Sequence, residues 1–358
     1  MTDQLFVGSY AADTQPGIYA FEFDGATGAL TPRGSFTGIA NPSFLAAHPS
    51  RPWLYSACET SETDDGRAGS VWAFRFDPAS LALEPINQQA SGGNAPCHLR
   101  LDATNKWLLA TNYTSGSVSL YPVEDDGSLG AMSDHVQHEG RGADPDRQEG
   151  PHAHSSILSP DNRFVIAADL GLDQLVIYEL DTQAGKLRPH GHGIARPGAG
   201  PRHMAFHPEG NTLYVANELD NTAAVYDYDA EAGTLREVQV LDTVPPDAPH
   251  SQVADIHLAP ESRRLYVSNR GHESIAVYEF GGSGKLIRLA VQPCGGSWPR
   301  NFALAPGGRF ILAANQYSGG VDVLPLLPGA SEIGPAAAHV DVAQAACVQF
   351  VPAEAVAG

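Results

Sequence analysis

Apolar residues fall along this chain in short blocks rich in Val, Ile, Leu, Tyr, Phe and Ala, and turn residues separate the blocks. The blocks repeat as a unit. Compare Pro201-Arg-His-Met-Ala-Phe-His-Pro208-Glu-Gly-Asn-Thr-Leu-Tyr-Val-Ala-Asn217 with Pro299-Arg-Asn-Phe-Ala-Leu-Ala-Pro306-Gly-Gly-Arg-Phe-Ile-Leu-Ala-Ala-Asn315. Each reads as a strand ending at a proline, a polar turn and a second strand. A third strand such as Ala223-Ala-Val-Tyr226 and a fourth such as Val238-Gln-Val-Leu241 complete the unit. With the proline as anchor, the unit recurs at Pro49, Ala103 (a substituted anchor), Pro160, Pro208, Pro260, Pro306 and Pro352. The spacings of 54, 57, 48, 52, 46 and 46 residues suit four-stranded propeller blades with loop insertions.

Almost no chain follows the last anchor, so that unit must borrow its remaining strands. Leu5-Phe-Val-Gly8 reads as a second strand and Gly17-Ile-Tyr-Ala-Phe-Glu-Phe23 as a third, so the N- and C-terminal strands are expected to share one blade. Such closure leaves no long free edge. The predicted fold is all-β, a seven-bladed β-propeller of four-stranded blades forming one domain over 1–358. Two packed β-sandwiches or a two-domain α/β chain are the alternatives, and no long stretch of helical period supports them.

Composition agrees: 37 glycines and 27 prolines among 358 residues, with only 17% charged residues, mean many turns and few surface helices. A net charge of −20 argues against nucleic acid and anionic membranes as partners. No apolar run is long enough for a membrane span. The start, Met1-Thr-Asp-Gln-Leu-Phe-Val-Gly-Ser-Tyr10, lacks the basic and apolar regions of a signal peptide, so a soluble cytoplasmic protein is expected. Cys58, Cys97, Cys294 and Cys347 are scattered and read as reduced structural thiols.

In such a ring, the loops leading into the first strand and those joining strands two and three lie on one face, which makes two repeat offsets worth inspecting. Six residues before the anchor stand Ser43, Cys97, His154, Arg202, Ala254, Arg300 and Ala346. Ten after it stand Glu59, Tyr113, Leu170 (Asp169 with one gap), Glu218, Arg270 and Gln316. His154, Arg202, Glu218, Arg270 and Arg300 are thus expected to converge on one channel mouth, with His152, His203, Asp255, His257 and His272 beside them. Arginine forks bind carboxylate or phosphate oxygens, so the implied partner is a small anion. His and Glu can move a proton near neutral pH. His48 and His207, each followed by a proline, read as structural residues on the opposite face.

Pro151-His-Ala-His154 raises a metal site as a rival, but neighbouring arginines would repel a cation, so neither metal nor cofactor is expected. The insertion from Glu124 to Gly150, with His135, His138, Glu139, Arg141, Asp144, Asp146, Arg147 and Glu149, has no regular ligand spacing and reads as a solvated loop or lid. No P-loop, dinucleotide fingerprint or nucleophile elbow is present.

Five motifs in order, Gly150-Pro-His-Ala-His-Ser155, Gly200-Pro-Arg-His203, Val215-Ala-Asn-Glu218, Ser268-Asn-Arg-Gly-His-Glu-Ser274 and Pro299-Arg-Asn-Phe302, resemble the seven-bladed propeller lactonases over essentially the whole chain. That family includes the bacterial propeller-type 6-phosphogluconolactonase and the fungal carboxymuconate-lactonizing enzyme. The resemblance implies metal-independent hydrolysis of 6-phosphoglucono-1,5-lactone to 6-phosphogluconate, in the pentose phosphate route. It places the catalytic roles on His154, Arg202, Arg270 and Glu218, with His154 and Glu218 both open as the base. Arg300, His152, His203, His257, Asp255 and His272 are then expected to bind substrate. No obligate protein partner is implied. Two other functions stay open at this stage: a lactonase or lactonizing cycloisomerase for another sugar acid or a carboxymuconate-like intermediate, and a non-catalytic scaffold or ligand sensor.

Overall fold

The computed structural model describes residues 2–61, 68–259, 261, 263–327 and 333–356. Within them lie seven four-stranded antiparallel sheets. Six are built from consecutive strands, and the seventh joins the two ends of the chain: Thr2–Ser9 pairs with Ala345–Phe350, Val7 opposite Val348. The first strands, Phe44–Ala47, Pro96–Leu101, Ala153–Leu158, Pro201–Phe206, Gln252–Ala259, Pro299–Leu304 and Ala345–Phe350, pack side by side around a channel. The ring is a seven-bladed β-propeller.

Burial follows radius. Second and third strands are covered by neighbouring blades on both faces, so Phe164–Asp169, Thr212–Asn217 and Phe310–Asn315 are buried throughout and their sequences carry little alternation. Fourth strands form the rim, and Leu30–Thr37 is mostly exposed. Apolar clusters fill the gaps between blades; one holds Ile166 and Leu175 against Leu213, Val215 and Tyr226. The His-Pro anchors are turn devices: the backbone N–H of Ser50 and of Glu209 donates to Nδ1 of His48 and His207, at 3.1 Å in each case. The anchor Pro260 lies outside the described residues.

The feature that builds the channel mouth is a bulge near the start of the inner strands. Pairing skips Cys97 between Pro96 and His98, His154 between Ala153 and Ser155, Arg202 between Pro201 and His203, and Arg300 between Pro299 and Asn301. It also skips Ala254 with Asp255, and Ala346 in the closing blade. The position six before the anchor is therefore a bulge, which frees its side chain from the ladder and re-aims it. Entry into these strands needs left-handed backbone: Gly200 has φ +64, and a Cβ there would lie 2.5 Å from Leu219 Cγ. At the same offset, Trp298 holds φ 65.

No helix among the described residues is long and apolar enough to cross a membrane. All four cysteines are free and buried.

Candidate active site

The bulged side chains of Cys97, His154 and Arg300 and the residues just past the second strands meet in a cavity of about 300 Å³ at one end of the channel, with the bulged Arg202 behind its wall. Its centre is Glu218, held by three guanidiniums. Oε2 accepts from Arg202 Nε at 3.0 Å and Arg270 Nη2 at 2.6 Å, and Oε1 accepts from Arg147 Nη2 at 2.7 Å. Burial opposes the charge on Glu218, but Arg270, Arg202 and Arg147 outweigh it and hold its carboxyl down to about 2. Glu218 is therefore an ionised anchor and a weak base.

Arg202 is fixed from its other side, Nη1 donating to Ala254 O at 2.5 Å, and its residue is only 2% exposed. Burial, then Arg270 and Arg300, bring its pKa down to about 10, so it stays charged at neutral pH. Arg270 donates through Nη2 to Val253 O at 3.0 Å and lies 5.5 Å from the Trp298 ring centroid, which orients its plane. Across the cavity, Arg300 sits over Tyr10 and 3.7 Å from Glu59 Oε1. Tyr10 donates its hydroxyl to Glu59 Oε2 at 2.8 Å. Burial raises the Tyr10 pKa, so its hydroxyl stays neutral.

His154 completes the group. Burial first, then Arg202, push its pKa well below the ordinary value, so the imidazole is neutral at pH 7. Its Nδ1 lies 3.8 Å from Cys97 Sγ, and the thiol is 3.2 Å from the His154 carbonyl oxygen. Burial pushes the Cys97 thiol up, so it keeps its proton. The neutral imidazole lines the cavity and carries one ring-nitrogen lone pair able to accept a proton.

Four guanidiniums (Arg147, Arg202, Arg270, Arg300) against two carboxylates (Glu59, Glu218) leave two positive charges on the cavity and the shell holding it, in a chain of net charge −20. Among the described residues, no three His, Cys, Asp or Glu side chains converge as a metal site requires.

The five residues expected to converge do come together. The second set does not. His203, Asp255 and His257 line a different cavity, of about 980 Å³, toward the anchor end of the channel. Offset explains this: one residue after the bulge position, Phe44, His98, His203, Asp255, Asn301 and Cys347 all face that larger space. Asp255 accepts there from His203 Nδ1 at 2.6 Å, His257 Nε2 at 2.9 Å and Asn301 Nδ2 at 2.5 Å, and these partners keep it ionised although burial opposes its charge. Burial and Arg202 bring His203 down to about 4. His152 stands behind the cavity wall, stacked on Tyr113 and 3.1 Å from Glu149 Oε1. His272 bonds Ser274 Oγ at 2.7 Å within its hairpin and does not line the cavity.

Other cavity residues escaped the expected set. Cys97, Tyr113 and Glu59 occupy the two offsets already singled out, and Tyr10 is the member supplied by ring closure, just past the borrowed second strand. Gln252 shares the offset of Gly200 and Trp298, eight before the anchor, whereas Arg147 carries no repeat signal. Arg147 comes from the insertion, which is largely solvent-exposed as expected but is tethered at two buried residues: Gln148 donates to Leu170 O and Asp173 Oδ1, and His138 meets Asp169 at 2.5 Å.

The family model of the seven-bladed β-propeller lactonases matches residues 4–350. A 6-phosphogluconolactonase from Bacillus subtilis is 36% identical over 97% of this chain and 97% of its own length. Another, from Formosa agariphila, is 32% identical over 88% and 90%. The structure of a periplasmic gluconolactonase from Pseudomonas aeruginosa superposes with a TM-score of 0.92 at 31% identity, covering 98% of this chain and 99% of that one. The chain therefore belongs to the seven-bladed β-propeller lactonase family and is a lactone-hydrolysing carboxylic-ester hydrolase.

Proposed function

We propose that the substrate is 6-phosphoglucono-1,5-lactone, opened to 6-phosphogluconate as a step of the pentose phosphate route. The observation that carries this reading is the surplus of two positive charges at a cavity of about 300 Å³, which matches a phosphate monoester of charge −1.5 to −2 at pH 7. The names of the Bacillus and Formosa relatives point the same way. Four free, buried cysteines fit a reducing compartment, so a cytoplasmic setting belongs to the same reading.

In this mechanism the His154 imidazole takes a proton from water as that water attacks C1 of the lactone. Arg270 and Arg300, which line the cavity, polarise the carbonyl and stabilise the oxyanion; a preorganised donor of this kind is worth about 10²–10³ in rate. The tetrahedral species collapses, the bond from C1 to the ring oxygen breaks, and the proton held on His154 passes to that oxygen. The product acid then ionises to solvent. Glu218 has a supporting part in this reading, holding Arg202 and Arg270 in place, and its low pKa beside a neutral His154 imidazole supports His154 as the base. Positive charge at the carbonyl comes from guanidiniums, so the scheme requires no metal.

The test is turnover of 6-phosphogluconolactone by chelator-stripped protein, measured against the spontaneous rate; no acceleration refutes the proposal. The Pseudomonas gluconolactonase favours a second reading, unphosphorylated glucono-1,5-lactone, and comparing kcat/KM for the two lactones decides between them.

A further inference from the structure

Three guanidiniums hold Glu218, and they are not equivalent. Arg202 and Arg270 project from the ring's own strands, are buried, and each carries a second bond to a backbone carbonyl. Arg147 comes from the segment between the strands Asp134–Gln137 and Ala153–Leu158, and its side chain is 34% exposed. Besides Glu218 Oε1 its guanidinium reaches, among the described residues, only Tyr113 Oη, at 3.4 Å.

Its backbone is nevertheless firmly set. Asp144 Oδ1 accepts from the N–H of Asp146 and of Arg147, at 2.9 and 3.2 Å, and the adjacent Gln148 is fully buried and doubly bonded. A fixed base carrying a half-exposed fork at the cavity is suited to exchanging one oxyanion for another.

We infer that Arg147 is the specificity residue that reads the phosphate of the substrate, leaving Glu218 Oε1 to do so. This rests on the lactonase reading above and adds which guanidinium distinguishes phosphorylated from unphosphorylated ligands. Arg147 is paired with Glu218 Oε1 at 2.7 Å. A phosphate dianion offers it a bidentate partner that a sugar hydroxyl cannot match, and Arg202 and Arg270 keep Glu218 paired through Oε2 after the exchange. An unphosphorylated lactone provides no such exchange, so Arg147 stays on the carboxylate.

The experiment measures binding and turnover separately, in wild type, Arg147→Gln and Arg147→Lys. Calorimetry gives the affinity ratio of 6-phosphogluconate over gluconate, and steady-state kinetics give kcat and KM for both lactones. Arg147→Gln is expected to lower the affinity ratio about 10- to 100-fold, the worth of a charge-assisted hydrogen bond, with the lactone loss carried by KM and Lys restoring part of it. Melting temperatures report whether each variant is folded. An unchanged affinity ratio in Arg147→Gln, or no preference for 6-phosphogluconate in wild type, overturns the assignment. Failure of wild type to turn over 6-phosphogluconolactone sinks the substrate reading instead, while the affinity ratios still decide the role of Arg147.

Discussion

Replacing Glu218 by Gln keeps the shape of the side chain and removes the charge that three guanidiniums share. The amide has one oxygen where the carboxylate uses two, and its NH2 donors would face guanidinium donors. Two independent routes give the size of the effect. Removing one partner of a buried ion pair costs about 3–5 kcal/mol. Lowering the Glu218 pKa from 4.5 to about 2 corresponds to about 3 kcal/mol of folded-state stabilisation, undiscounted because the side chain is buried. For a chain of 358 residues the unfolding entropy is about 0.75 kcal/mol per kelvin, so the melting temperature should fall by about 4–7 °C at pH 7. The pH dependence supplies a second check. Because the folded pKa lies below the unfolded one, the unfolded chain takes up the proton first as pH falls. The stabilisation is therefore complete above about 4.5 and disappears toward 2. Calorimetric melting of wild type and Glu218→Gln at pH 7 and pH 3 should show the gap between them shrink to about half or less of its neutral value. A gap within 1 °C at pH 7, or one that does not narrow in acid, refutes this account of the site.

His154→Asn should lower kcat by about 10²–10⁴ with melting unchanged within a degree or two, since it removes the proposed general base and leaves the arginine cluster intact. In wild type the acid limb of kcat/KM should fall well below pH 6.5, because burial and Arg202 keep His154 deprotonated there; a limb at 6.5 or higher, or an active His154→Asn, removes His154 from the mechanism. Asp255→Asn should destabilise by roughly 1–3 kcal/mol for each buried donor left without its acceptor. The lactone KM should stay within about twofold, because Asp255 faces the larger cavity; a tenfold rise would return it to the substrate site.

The architecture was readable because it is periodic. Seven recurring strand-and-proline units fix the blade count, and the missing strands after Pro352 require the N-terminal segment to complete the ring. The fourth strands were harder to delimit, because rim strands such as Leu30–Thr37 are solvent-washed and carry no apolar signature. The same periodicity located Arg202, Glu218, Arg270, His154 and Arg300, since residues at one offset in successive repeats occupy one height on the channel. It could not resolve a one-residue difference in height: Arg202 and His203 are adjacent in sequence, yet the bulge sends Arg202 to Glu218 behind the small cavity and His203 to the wall of the large one.

The sequence by itself thus determined the ring, its closure and the tier of charged residues, because repetition and hydrophobic patterning are local properties that add around a circle. Only the tertiary structure decided which charges meet. That Arg147 reaches Glu218, 71 positions away, depends on an insertion whose path is set by the buried Gln148 and His138. That Glu218 is an anchor, with His154 the neutral group beside it, depends on burial and on the balance of guanidiniums around one carboxylate. Neither is a property of a residue's place in a repeat; both follow from distances and desolvation, which exist only once the blades have closed.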